Sequence, residues 1–277
     1  MYNPAFCFNF HLASAISYYL CPHMKHLPNL LTLANLVSGC IAIAFILNSQ
    51  PFVSSFNGGE YWVFGTEQAY MGALFIALAA LFDTLDGFAA RTLNVFSPIG
   101  KDLDSLADVV SFGVAPSMIL FKMLWASYMA EPYALDVNMS AMIPAFIFVA
   151  AGAVRLAKYN ISHASQQNFF RGMPIPAAGL FIACLPLINW YNPMGIGNAL
   201  QSKWAIYAII ALFSWLMLSG IRFIKFIPSR FSMATIWPQL VMIAVGVGGW
   251  FVLHVAIIPV IFVLYILLSF IHKPSEA

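Results

Sequence analysis

Charge is what this sequence has least of: only 8% of its residues are Asp, Glu, Lys or Arg, whereas 62% are hydrophobic. With a mean hydropathy of +0.85 over 277 residues, both a soluble domain and a disordered chain are excluded, since each needs far more polar surface. Cysteine is thin too. Cys7, Cys21, Cys40 and Cys184 are scattered with no CxxC pair, which excludes a zinc ribbon and leaves them as apolar fillers of helices. The six histidines are dispersed; His23 and His26 have helical spacing but read as solvated residues at a membrane boundary. No nucleophilic Ser or Cys is visibly paired with a His, which argues against a covalent intermediate. Internal repeats, a soluble domain and disordered tracts are absent as well. A formal net charge of +2 says nothing about partners, and no nucleic acid is expected among them.

What is there is a series of long apolar runs, the mark of an integral membrane protein. The fold expected is all-α, a polytopic membrane helix bundle of about eight transmembrane helices, at about 29–48, 69–91, 102–126, 140–162, 174–191, 203–222, 234–252 and 254–272. Residues 24–277 read as a single membrane domain. Residues 1–23 carry no Lys, Arg, Asp or Glu and so lack the basic region of a signal peptide. They suit an interfacial segment, or an extension ahead of a natural start at Met24-Lys25-His26, the reading favoured here. With the amino terminus inside, Lys25, Arg91, Lys101, Arg155, Lys158, Arg171, Arg222, Lys225, Arg230 and Lys273 fall at cytoplasmic ends or loops. Only Lys122 and Lys203 fall on the other side. This positive-inside asymmetry supports the helix count and opens the acidic cluster to the cytoplasm; the membrane expected is a bacterial-type inner (plasma) membrane.

That cluster is the informative part of the chain. The stretch DTLDGFAARTLNVFSPIGKDLDSLAD, residues 83–108, holds Asp83, Asp86, Asp102, Asp104 and Asp108, half of the ten carboxylates. An acid in an apolar helix costs about 2.5–3.5 kcal/mol on insertion scales, so such a cluster marks a functional site. Asp83 and Asp86 are three apart, Asp104 and Asp108 four apart, and each spacing puts both carboxylates on one helical face. Four ionised acids share such a pocket only if cations neutralise them. An all-oxygen donor set without clustered His or Cys points to a hard divalent ion, Mg²⁺ or Mn²⁺. Gly87 leaves room for a nucleobase or pyrophosphate to touch the helix, or packs with Ala90 against a neighbouring helix; spacing does not choose between these. Arg91 either forks onto a phosphate or anchors the helix end at the interface. Ser97 is a candidate hydroxyl donor to phosphate in a connecting loop whose turn Pro98 and Gly100 would set. Asp102 reads as a helix-start residue favoured by the dipole.

The pattern D-x2-D-G-x2-A-R-x8-G-x3-D-x3-D, occupied by Asp83, Asp86, Gly87, Ala90, Arg91, Gly100, Asp104 and Asp108, resembles the signature of the CDP-alcohol phosphatidyltransferases at all eight positions. The resemblance implies transfer of a phosphatidyl group from a CDP-linked lipid to a hydroxyl, with release of CMP. It implies Asp83, Asp86, Asp104 and Asp108 as ligands of two metal ions, Asp108 also as general base, and Asn29 to Thr32 against the CDP-lipid head. It also implies a homodimer, for which the sequence itself offers only small residues such as Gly113 and Ala115, equally suited to packing within one chain.

Three further stretches, PNLLTLANLVSG (28–39), LDSLADVVSFGVAPS (103–117) and RLAKYNI with FRGMPIPAA (155–161, 170–178), resemble the phosphatidylserine synthase branch of that family. The implied substrates are CDP-diacylglycerol and L-serine; choline, glycerol 3-phosphate and inositol are the alternative acceptors. Lys158-Tyr159-Asn160 and Met173 depart mildly from that branch's pattern. Arg155 and Lys158 are candidates for the serine carboxylate, Asn160 for orienting it, and Arg171 is a second cation near it. Each cation is equally well explained as an anchor. An ion-coupled transporter, the non-enzyme alternative, would show a repeated hydropathy pattern and acids near the midplane; here the acids lie toward one face.

Overall fold

The computed structural model describes residues 26–48, 51–56, 59–64, 66–93, 97–131, 136–161, 169–191, 196–224, 233–253 and 257–271. The expectation about residues 1–23, and the cations Lys25, Lys225, Arg230 and Lys273, lie outside them. The first helix, α1 (Leu27–Asn48), sets the logic of the bundle. Its buried face is small or polar, with Thr32, Asn35, Ser38, Gly39 and Ala42, while Leu30, Leu33, Val37 and Leu47 are exposed. In water that arrangement would be inverted. Against lipid it is favourable, because acyl chains cover the large apolar side chains and small residues let helix backbones approach. The same outward belt recurs as Leu74, Leu81 and Phe88 on α2 (Thr66–Leu93) and as Ile243 and Val247 on α8 (Met233–Leu253).

Between α1 and α2 a hairpin of β1 (Pro51–Phe56) and β2 (Gly59–Phe64) pairs in register from Pro51↔Phe64 to Phe56↔Gly59. Next come α3 (Pro98–Met129) and α4 (Met139–Ile161), the latter opening in 3₁₀ turns. After β3 (Phe169–Arg171) follow α5 (Ile175–Tyr191), α6 (Ile196–Leu200), α7 (Lys203–Leu218), β4 (Arg222–Ile224), α8 and α9 (Ile257–Ile271). Helices α1 to α4 are long and apolar enough to cross a membrane, and α5, α7, α8 and α9 supply shorter apolar helices where the remaining four spans are expected. At about 1.5 Å per residue, the 22 residues of α1 reach about 33 Å, enough for a hydrocarbon core of about 30 Å. The protein is an all-α polytopic membrane bundle with one buried core running from Ala42 to Leu268.

Two details differ from the sequence reading. Pro98 and Gly100 do not set a loop: Ser97 caps α3, Pro98 is its first residue, and Gly100 lies in its first turn. Proline suits that position because the first N–H of a helix has no partner to lose. The segment expected to be helical over 203–222 stops at Leu218, and Arg222–Ile224 instead pairs with Phe169–Arg171 as a short antiparallel clasp. Gly113 and Ala115 pack inside the chain, one of the two roles left open for them, with Gly113 against Val149 and Ile175. At the far end of the bundle from the acids, Lys203 bonds Glu131 at 2.8 Å and Lys122 stands over Trp125.

Candidate active site

Helices α1, α2 and α3 supply the acidic site, and each places its residues for a local reason. The Ser97 hydroxyl oxygen accepts from the Gly100 N–H at 2.9 Å, which starts α3 where Asp104 and Asp108 lie one turn apart. A Cβ on Gly100 would sit 2.8 Å from Asn29 Oδ1 and 2.9 Å from Ser97 Oγ, so a side chain there would displace the Asn29 side chain and the Ser97 cap. Directly after Asp108 the helix widens into a π turn, Val109–Val114, with the Ala115 N–H bonded to the Val110 carbonyl. Pro116 explains it: a proline ring collides with the carbonyl four residues earlier in a regular α-helix, and the extra residue relieves that collision. Ser111 in this turn donates to the Asn35 carbonyl of α1 at 3.0 Å.

Asp83, Asp104 and Asp108 each offer one carboxylate oxygen, all within 4.8 Å of one another. Asp108 is buried, and the Asn35 side-chain amide donates to its Oδ1 at 3.4 Å. The Asn35 Oδ1 is itself buried and accepts no hydrogen bond. Asp86, one turn along α2, lies beside this trio and accepts from Thr32 Oγ1 at 2.7 Å. Three desolvated like charges at such distances repel strongly, and only a bound cation or protonation relieves them. The grouped donors are all carboxylate oxygens, which fits a hard divalent ion.

Beside the acids a cleft of about 200 Å³ is lined by Pro28, Asn29, Thr32, Asp86, Gly87, Ala90, Ser97, Gly100, Lys101 and Asp104. The structure thus gathers Asn29, Thr32, Gly87, Ala90, Ser97 and Gly100 into one wall system around Asp86 and Asp104. Gly87 answers the question that spacing left open. Among the described residues a Cβ there would meet no neighbouring helix; the nearest atom is an Arg91 guanidinium nitrogen at 3.9 Å. Its open side is therefore part of the cleft and not a helix-packing surface. For the CDP-linked lipid that the motif implies, we expect Gly87→Val to raise the KM roughly tenfold or more, with melting temperature essentially unchanged because valine is no worse than glycine in a helix. Kinetics beside a thermal scan in detergent check this; a fall in stability with unchanged KM would return Gly87 to a packing role. Arg91 is exposed and its Nε donates to the Gly87 carbonyl at 2.9 Å.

The acceptor candidates are more dispersed. Arg155 is buried on α4, with its guanidinium 5.2 Å from the Tyr159 ring centroid, while Lys158, one turn on, is exposed. Asn160 donates to Ser105 Oγ at 2.8 Å, and Lys101 Nζ donates to the Asn160 carbonyl at 3.3 Å, so Asn160 ties α4 to the start of α3. Arg171 is exposed at the end of β3. Sequence reasoning passed over Asn35 as a site residue and gave Lys101 only an anchoring role. The signal for Asn35 was present: Thr32, Asn35 and Ser38 recur every three residues in an otherwise apolar helix.

Residues 25–224 match the family model described as CDP-alcohol phosphatidyltransferase. A CDP-diacylglycerol–serine O-phosphatidyltransferase of Helicobacter pylori is 34% identical over 201 residues, covering 72% of each chain. The Bacillus subtilis protein of the same name is 33% identical over 172 residues, 62% of this chain and 80% of that one. An archaetidylserine synthase of Methanothermobacter thermautotrophicus is 29% identical over 199 residues, 71% of this chain and 69% of its own. With the acid trio convergent, the neighbouring cleft walled by the motif's glycines, and most of its length matched, this chain belongs to the CDP-alcohol phosphatidyltransferase family.

Proposed function

We propose that this enzyme transfers the phosphatidyl group of CDP-diacylglycerol to the hydroxyl of L-serine, giving phosphatidylserine and CMP, on the cytoplasmic side of a bacterial-type inner membrane. The observation that carries the reading is the grouping of Asp83, Asp104 and Asp108 beside a cleft whose Gly87 wall is open. The names of the relatives support serine as the acceptor. Asp83, Asp86, Asp104 and Asp108 would hold two divalent ions, Mg²⁺ or Mn²⁺, which neutralise the pyrophosphate oxygens and the departing phosphate.

The chain's own residues do the rest. Asn29, Thr32, Gly87, Ala90, Ser97 and Gly100 cradle the CDP head, and Arg91 pairs with its phosphates from the rim. The Ser97 hydroxyl, already accepting from Gly100, keeps its proton to donate to a phosphate oxygen. Asp108, held by Asn35, takes the proton of the serine hydroxyl. The serine oxygen then bonds to the lipid-side phosphorus, the bond from that phosphorus to the bridging oxygen breaks, and CMP departs with that oxygen. Arg155 binds the serine carboxylate, with Arg171, Lys158 and Asn160 as supporting contacts. The working unit is a homodimer, which light scattering of the purified protein in detergent tests.

The deciding assay compares incorporation of labelled serine, choline, glycerol 3-phosphate and inositol with CDP-diacylglycerol and Mg²⁺ or Mn²⁺. Serine is expected to be used far above the others; turnover with another acceptor and not with serine sinks the assignment. Arg155→Ala is expected to raise the KM for serine by roughly 10²-fold, the loss of a charge-assisted contact of about 2–3 kcal/mol, while leaving the KM for the CDP-lipid nearly unchanged. Unaltered serine kinetics would remove Arg155 from the acceptor site.

A further inference from the structure

The matched family segment ends at Ile224, and that residue is gripped from outside the segment. On α9 the buried Tyr265 hydroxyl donates to the Ile224 carbonyl at 3.1 Å, and the Ile224 N–H donates to Ser269 Oγ at 3.3 Å. Ser269 is oriented for this, because its own proton goes to the Tyr265 carbonyl at 2.8 Å. Both backbone polar groups of one strand residue are thus held by two side chains one helical turn apart. The Phe223 ring, fully buried, stacks on Tyr265 with centroids 5.8 Å apart.

What this grip fixes is the clasp of β3 and β4. Arg171 is paired directly with Arg222, the Gly172 N–H donates to the Ile221 carbonyl at 2.8 Å, and the Met173 N–H donates to the Leu216 carbonyl at 3.1 Å. Gly172 has φ +72°, and a Cβ there would run into the Met217 carbonyl, so the chain crosses at this point without slack. Three residues on, Ile175 packs against Gly152 of α4, one turn before Arg155. The last helix is therefore tied through Ile224 to the clasp that ends at Arg171, and the clasp leads on to Ile175, which packs one turn before Arg155.

We propose that Tyr265 and Ser269 are positioning residues for the acceptor: by fixing Ile224 they hold the β3–β4 clasp, and with it Arg171 and the wall behind Arg155, in the geometry that receives the serine carboxylate. This rests on the acceptor reading given above. Neither residue belongs to the acid trio or lines the CDP cleft, so their loss acts on acceptor affinity and not on the chemical step.

The test uses the full chain in detergent with Tyr265→Phe, which keeps the ring and removes the donor, and Ser269→Ala, which removes the acceptor. Each is expected to raise the KM for serine about fivefold, the kinetic equivalent of one buried hydrogen bond. The kcat and the KM for CDP-diacylglycerol should stay within about twofold. The double variant should shift the serine KM by less than the product of the two, because both side chains hold the same residue. An unchanged serine KM with a lowered melting temperature overturns the proposal and leaves a purely structural tie, and so does a loss confined to kcat. If the unaltered protein turns over no serine, the acceptor reading fails by itself. The same comparison is then made with the acceptor that is used, and a KM shift for it supports the positioning role while an unchanged KM overturns it.

Discussion

Asp108→Asn, which removes the proposed base and metal ligand, is expected to lower CMP release by roughly 10³-fold. Asparagine keeps the shape of the side chain and an oxygen to accept from Asn35, so the contact between α1 and α3 survives. It removes one negative charge from a buried group whose members lie within 4.8 Å of one another. In the absence of divalent ions the variant should therefore be at least as stable as the unaltered protein, since like-charge repulsion has been relieved. The measurement is radiolabelled CMP release, paired with a thermal scan in chelator. Normal release from a folded Asp108→Asn protein would exclude Asp108 as the base and with it the proposed mechanism. A large loss of stability would show that Asp108 serves packing first.

Removal of divalent ions is expected to abolish turnover completely, with recovery on adding Mg²⁺ or Mn²⁺. The stronger test is thermodynamic, because it needs no substrate. An ion that binds only the folded chain stabilises it by about 2.7 kcal/mol at a concentration of 100 times its dissociation constant. In a chain of this size that moves the melting temperature by several degrees, on the order of 5–10 °C. The shift should shrink in Asp83→Asn and Asp104→Asn, which each remove one member of the grouped trio, and persist in Asp102→Asn, whose side chain is exposed outside the group. Equal shifts in all three variants would place the ion elsewhere. Activity that survives exhaustive chelation would end the metal reading.

Much of the site was legible without coordinates because acids are so costly in apolar helices that their positions carry little noise. Spacings of three and four residues fix a shared face on any helix, so the pairs Asp83–Asp86 and Asp104–Asp108 could be placed at once. Gly87 could not, since a glycine that receives a ligand and one that receives a neighbouring helix have the same spacing. Ser97, Pro98 and Gly100 were read as a loop because proline and glycine interrupt helices more often than they begin them. Asn35 was overlooked for a different reason: polar residues three apart in a span match no motif until a neighbouring helix gives one of them a partner.

By itself the sequence determined the membrane bundle, the rough bounds of its long apolar helices, and the identity of the acidic pairs. These follow from hydropathy and helical periodicity, which are properties of a chain taken a few residues at a time. Only the tertiary structure decided that three of the four motif acids form the tight group while Asp86 turns to Thr32, that Arg155 is buried and Lys158 is not, and that the last helix reaches back to Ile224. Those outcomes depend on how distant segments pack: the Tyr265–Ile224 bond joins residues 41 apart and the Asn35–Asp108 bond residues 73 apart. No local pattern encodes such a meeting, because it arises from the crossing of whole helices.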